Sequence, residues 1–224
     1  MTTKEVVKKQ ESTTEVAIPT RYSSQIEGLE GMSQGDLALA SYSIVQPTSK
    51  GEKGKCPAGW FYNSLTGSGI DVVQAVILRI SPCRTLWGET RNSPPECKSY
   101  DGVQGSVYGA CKVCSWNRWP KDKTERTCKA GYLILGANKD DGDSLFMLIG
   151  MGTSVSPIKS LYTQLVGLGR NTGAPAFAHH VKLETVQREN ELGKFFVLNT
   201  QIIGQLPPAA VAHYREMYIA IGGS

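Results

Sequence analysis

The sequence predicts a mainly β fold with two short helices, an α+β chain whose simplest solution is an OB-like antiparallel barrel interrupted by a cysteine-rich insertion. Three observations carry this expectation. Residues 70–80 form a β-branched apolar run, two further pairs of strand-like segments are joined by tight turns, and residues 90–130 are poor in Ile, Leu and Val but hold four of the six cysteines. The chain has 224 residues and a formal net charge of +4. A chain of this size buries about 70% of its extended surface, enough for one core.

Taken in order, residues 1–20 are polar, with no apolar period, and read as a disordered tail ahead of a single domain over 21–224. Residues 37–45 suggest a short strand, 47–51 a turn, and 50–59 a flexible basic loop. Trp60 to Asn63 reads as a strand closed by the glycine turn at 66–69, and residues 70–80 as the clearest strand. After the insertion, 131–136 and 144–150 pair as a hairpin across the Lys139-Asp-Asp-Gly-Asp143 turn. Ser154 or Ser156 caps a helix carrying Ile158, Leu161, Tyr162, Leu165 and Val166 on one stripe, expected to stop at Gly167 or Gly169. Residues 180–187 and 194–203 form a second hairpin, and Pro207-Pro208 opens a C-terminal helix through Tyr218. About six strands result.

The N-terminus lacks the apolar core of a secretory signal, and no apolar stretch is long enough to span a bilayer, so a cytoplasmic protein without membrane contact is expected. In a reducing compartment six cysteines argue against a disulfide framework. Cys97, Cys111, Cys114 and Cys128 follow a Cys-x13-Cys-x2-Cys-x13-Cys spacing. The two-residue gap lets Cys111 and Cys114 face one ion, and the long arms bring in one thiolate from each side. A four-thiolate set of this kind suits structural Zn²⁺, and it supplies the organising centre that residues 90–130 otherwise lack. A redox Cys-x-x-Cys is disfavoured because no βαβ pattern surrounds it. Cys56 and Cys83 read as core thiols or as a pair.

The charge is concentrated. Between Cys111 and Lys129 lie Lys112, Arg118, Lys121, Lys123, Arg126 and Lys129 against Asp122 and Glu125, an excess equal to that of the whole chain. Trp116 and Trp119 fall within this segment. Aromatic rings among cations suit single-stranded nucleic acid, where rings stack on bases and cations follow phosphates. The competing reading makes the tryptophans a small core and the lysines a solvated surface. Lys53 and Lys55, with Lys50, beside Trp60 and Tyr62 form a second candidate contact.

Arg84-Thr-Leu-Trp87, Cys97-Lys-Ser-Tyr-Asp-Gly102, Gly105, Cys111-Lys-Val-Cys114 and Cys128 resemble a group of bacteriophage zinc-containing single-stranded DNA-binding, replication-associated proteins. Segments like 145–163 and 181–197 follow in that group, and the resemblance spans about 25–205. It implies an OB-like core with an inserted zinc module, a place in the cytoplasm of an infected bacterium, and non-enzymatic coating of single strands during DNA replication or recombination, with phage replication proteins as further partners. The C-terminus lacks the acidic tail by which bacterial single-strand binders recruit partners. The alternative is a zinc-stabilised protein-interaction module, a replisome adaptor or host-factor inhibitor. An enzyme built on Asp140, Asp141 and Asp143 is disfavoured, because turn propensity already accounts for that cluster.

Overall fold

A computed structural model describes residues 38–89, 94–121, 125–191 and 193–223. The expected tail lies outside the described residues, as does Lys123. Eleven strands and two helices follow the order β1 (Ala40–Ile44), β2 (Phe61–Asn63), β3 (Gly69–Ile70), β4 (Val73–Trp87), β5 (Pro95–Ser99), β6 (Gln104–Gly105), β7 (Gly109–Ala110), β8 (Lys129–Asn138), β9 (Ser144–Met151), α1 (Val155–Thr172), β10 (His179–Asn190), β11 (Gly193–Gln205) and α2 (Pro208–Ala220). The chain is therefore mainly β with two helices. The surplus over six strands comes chiefly from segments of two to five residues, too short to leave a periodic pattern.

One sheet runs β11-β10-β4-β8-β9-β1-β2-β3, with β5 also on β4, and β6-β7 form a separate small hairpin. The pairing corrects the all-antiparallel expectation, because β1 lies parallel to β9. The sheet curls into a half-barrel, consistent with the OB-like expectation. The β11 edge meets the β1–β2 connection through a side chain. The Gln46 amide donates to the Phe196 carbonyl and accepts from the Phe196 N–H, both at 2.8 Å, which satisfies the edge backbone of β11 as a paired strand would. Gly59 (φ 92°) makes room, since a Cβ there would come 2.6 Å from the Phe196 ring.

β4 is the spine. It outruns the expected 70–80 strand, running on through Pro82 to Trp87. β10 pairs with β4 only over Val73–Val76, and β5 joins only from Arg84 onward, so Pro82 has a strand on one side alone and its missing N–H costs nothing there. A bulge between Ile77 and Arg79 shifts the side-chain parity. Ala75, Ile77 and Ile80 thus face one core with Tyr42, Phe61, Phe146 and the Ile158, Leu161 and Leu165 stripe of α1. Val76, Leu78 and Cys83 face the other, with Leu133, Leu135, Tyr214 and Met217.

α1 passes through Gly167 and Gly169, against expectation, and stops at Gly173 (φ 72°), whose N–H donates to the Gly169 carbonyl at 2.8 Å. Gly169 serves the chain reversal, because a Cβ there would sit 3.1 Å from the Ala174 carbonyl. α2 is docked by the 139–143 turn. The Tyr214 hydroxyl donates to Asp143, and Asp141 accepts from Ser144 at 2.7 Å. These acids thus do packing and turn duty.

Cys83 is 2% exposed and Cys56 lies against Gly69 and Trp60, so the two do not pair. Burial pushes the Cys83 thiol up to about 11. In the folded protein at pH 8, Cys83 should therefore resist iodoacetamide and react only on unfolding, as peptide mass mapping would show. Prompt native alkylation of Cys83 would contradict its placement. Among the described residues no helix is long and apolar enough to cross a membrane.

Candidate nucleic-acid interface and cysteine cavity

The end of β4 builds the cysteine region from both flanks. On one side Leu86 pairs with Cys97 of β5. On the other, Thr85 pairs with Lys129, the residue after Cys128. The remaining two cysteines arrive on an arm. Asp101 starts it by accepting N–H bonds from Val103 (2.7 Å) and Gln104 (3.0 Å) and a hydroxyl bond from Ser99 (2.8 Å). Although burial opposes it, these bonds hold the Asp101 carboxyl below its ordinary range. The β6-β7 hairpin then delivers Cys111, whose N–H donates to Val103 at 2.7 Å. Asn117 ties the Cys111–Cys114 turn back to the spine: its side chain donates to the Cys111 carbonyl at 2.7 Å and accepts from Arg84 of β4.

Cys97, Cys111, Cys114 and Cys128 all line one cavity of about 10 Å³, together with Arg84, Leu86, Trp116 and Asn117. That is about the space of a single water or ion. Burial pushes the Cys128 thiol up, the other three cysteines add to this, and Arg84 opposes it. As placed, no three His, Cys, Asp or Glu side chains among the described residues close on one point. The chemistry of the donor set nevertheless fits a four-thiolate ion: four sulfurs, one ion-sized void, and a glycine at its wall. A Cβ on Gly105 would lie 2.9 Å from the Cys97 sulfur and 3.2 Å from the Gly109 carbonyl. Gly105→Ala should thus spread the cysteines and lower metal content well below that of the wild-type chain, measured by plasma emission after gel filtration. Undiminished metal would show that the cavity tolerates the methyl.

The two arm tryptophans part company. Trp116 sits beneath Arg126, whose guanidinium lies 5.0 Å from its ring centre, and beside the Tyr108 ring at 6.4 Å. Arg126 also donates to the Trp87 carbonyl at 2.7 Å and pairs with Glu96, which accepts from the Tyr108 hydroxyl. These two bonds, Tyr108 first, hold the Glu96 carboxyl below its usual range. Trp116 is thus the arm's own small core. Trp119, by contrast, is 93% exposed.

The cations divide as well. Arg118 pairs with Glu125 at 2.6 Å, and Glu125 also accepts the Lys121 backbone N–H. Lys112 and Lys129 are exposed and have no carboxylate partner among the described residues; Lys129 donates to Thr127 at 3.3 Å. In the β1–β2 connection Lys55 pairs with Glu52 at 2.6 Å, and burial pulls the Lys53 ammonium down. Trp60 is 37% exposed and rests over Gly69, while Tyr62 is half-buried in β2. This connection meets the β10–β11 hairpin through Gln46 and Gly59. Sequence reasoning missed the Arg84–Asn117 clamp and the Glu96 triad, which join residues 12 to 33 positions apart with no local signal. It also missed exposed Val103, Val107 and Val113 on the same arm.

The family model described as Pam3 phage gp34-like protein matches residues 8–221. No curated protein and no solved structure matches the chain.

Proposed function

The chain belongs to the Pam3 phage gp34-like protein family, and from that premise we propose that it is a non-enzymatic, sequence-tolerant single-stranded DNA-binding protein of phage replication or recombination, with an OB-like core and a Zn²⁺-held arm. Cys97, Cys111, Cys114 and Cys128 would hold the ion. Bound zinc would supply rigidity, fixing the short arm that no large apolar core supports. The observation that carries the reading is Trp119, a fully presented indole between Lys112 and Lys129 in sequence. An indole this exposed contributes nothing to packing, and a base is the ring-faced partner that a nearby phosphate-binding cation would accompany.

The paired arginines sharpen the expected behaviour. With Arg118 and Arg126 engaged by carboxylates, about four of the six arm cations are left for phosphates, which sets a salt slope of about −3 for a single strand. Fluorescence anisotropy of labelled oligo-dT across salt tests this: single strands should bind more tightly than a duplex of the same length, with that shallow slope. Equal affinity for both, or no binding at low salt, would overturn the reading.

A second reading, a protein-interaction module, draws on Val103, Val107 and Val113, which expose apolar surface on the same arm as Trp119. It expects retention of a specific phage or host protein and no preference for single strands.

A further inference from the structure

A second site lies far along β4 from the arm. Between Val76 and Arg84 the strand has β8 on one side and, among the described residues, no strand on the other. A groove of about 590 Å³ opens along that flank. Its floor includes four consecutive β4 residues, 77–80, of which Ile77 and Leu78 are buried and Arg79 and Ile80 half-buried. One wall is α1, with Tyr162 and Val166; the other is α2, with Tyr218 and Ile219; Phe177 closes one side. Tyr162 and Ile219 are both exposed at the rim.

Two charges stand in this apolar lining, and both are positive: Arg79 and Arg215. Arg215 lies 5.5 Å over the Phe177 ring. The Nε atom of Arg79 is buried and has no hydrogen-bond partner. A buried guanidinium donor left unmade is costly, and no acidic side chain lines the groove among its described residues. A carboxylate entering the groove at Arg79 would satisfy that donor with a charge-assisted bond.

We propose that this groove binds an extended segment of a partner protein carrying a carboxylate flanked by apolar side chains. A groove running along four β4 residues between two helices suits an extended chain, and its size falls in the range of built ligand sites. Pro82 and the 77–79 bulge blunt indiscriminate strand addition here, so recognition rests on the arginines and the apolar walls.

The test uses the full chain and a fluorescein-labelled, end-capped peptide of sequence Leu-Asp-Phe-Asp-Leu, read by anisotropy. Saturable binding is expected, weakened about tenfold or more when both Asp are replaced by Asn. Arg79→Met should cause a similar loss. Ile219→Glu, at the exposed rim where folding is indifferent, should also weaken binding by repelling the peptide's charge. Equal binding of the Asn peptide, insensitivity to Ile219→Glu, or no binding at millimolar peptide would each overturn the proposal. So would displacement by decanoate of a site that the peptide does not fill, which would mark a small-amphiphile pocket instead.

Discussion

Cys111→Ser should remove the bound zinc and unfold the arm while the main sheet survives. The wild-type chain is expected to carry one zinc per molecule, and the variant close to none. The physical case rests on what else holds residues 95–128. Their strands are two to five residues long, their core is little more than Trp116 under Arg126 and Tyr108, and Val103, Val107, Val113 and Trp119 face outward. Burial of so few apolar groups does not offset the entropy of ordering the arm. Structural zinc contributes on the order of 10–16 kcal/mol in comparable sites, which dwarfs every other contact present. The two cores of the sheet include none of the four cysteines, and Cys111, though buried, belongs to neither, so far-ultraviolet circular dichroism should change little. Hydrogen exchange would separate the regions: amides of 97–117 lose protection and those of β4, β8 and β10 keep it. A zinc-free wild-type chain with a protected arm would contradict this.

Trp119→Ala should weaken oligo-dT binding by roughly 5- to 100-fold, corresponding to about 1–3 kcal/mol of stacking, with no change in melting temperature. The ring touches solvent almost everywhere, so its removal leaves no cavity. Trp116→Ala makes the contrast. That indole supports Arg126, which in turn ties Glu96 and the Trp87 carbonyl, so its loss should lower the melting temperature as well as binding. If both variants bound oligo-dT like the wild-type chain, nucleic acid would have to be held elsewhere, and the β1–β2 connection with Trp60 would be the next place to look.

Much of the fold was legible because its long elements obey one period each. The α1 stripe, the β10–β11 hairpin and the β8–β9 hairpin around the Lys139–Asp143 turn are all local patterns and stand where the residues put them, except that only Ile158, Leu161 and Leu165 of the stripe are buried while Tyr162 is exposed. Of β4 only the 70–80 run was legible, because its apolar β-branched pattern stops at Ile80, whereas the continuation through Pro82 depends on a flank that no strand covers among the described residues. The glycines of α1 misled because the helix runs through both: Gly169 lies close to the Ala174 carbonyl in the reversal after Gly173, one turn beyond the expected stop. At the site, the cysteine spacing announced four thiols in one place, and they do line one cavity. The count of cations announced more than the arm delivers to solvent. Arg118 and Arg126 are matched by Glu125 and Glu96, and Glu96 lies outside the segment whose charges were counted. Composition adds charges along the chain, whereas ion pairs form across it.

Those distinctions converge on a single indole. With ¹⁵N-labelled protein, the four tryptophan side-chain N–H resonances can be followed as oligo-dT is added at low salt, each assigned by a single Trp→Phe variant. The account predicts that the Trp119 resonance shifts first and furthest, while that of Trp116 moves little. A titration in which oligo-dT binds but Trp119 stays still, or in which no indole resonance moves at all, would contradict it.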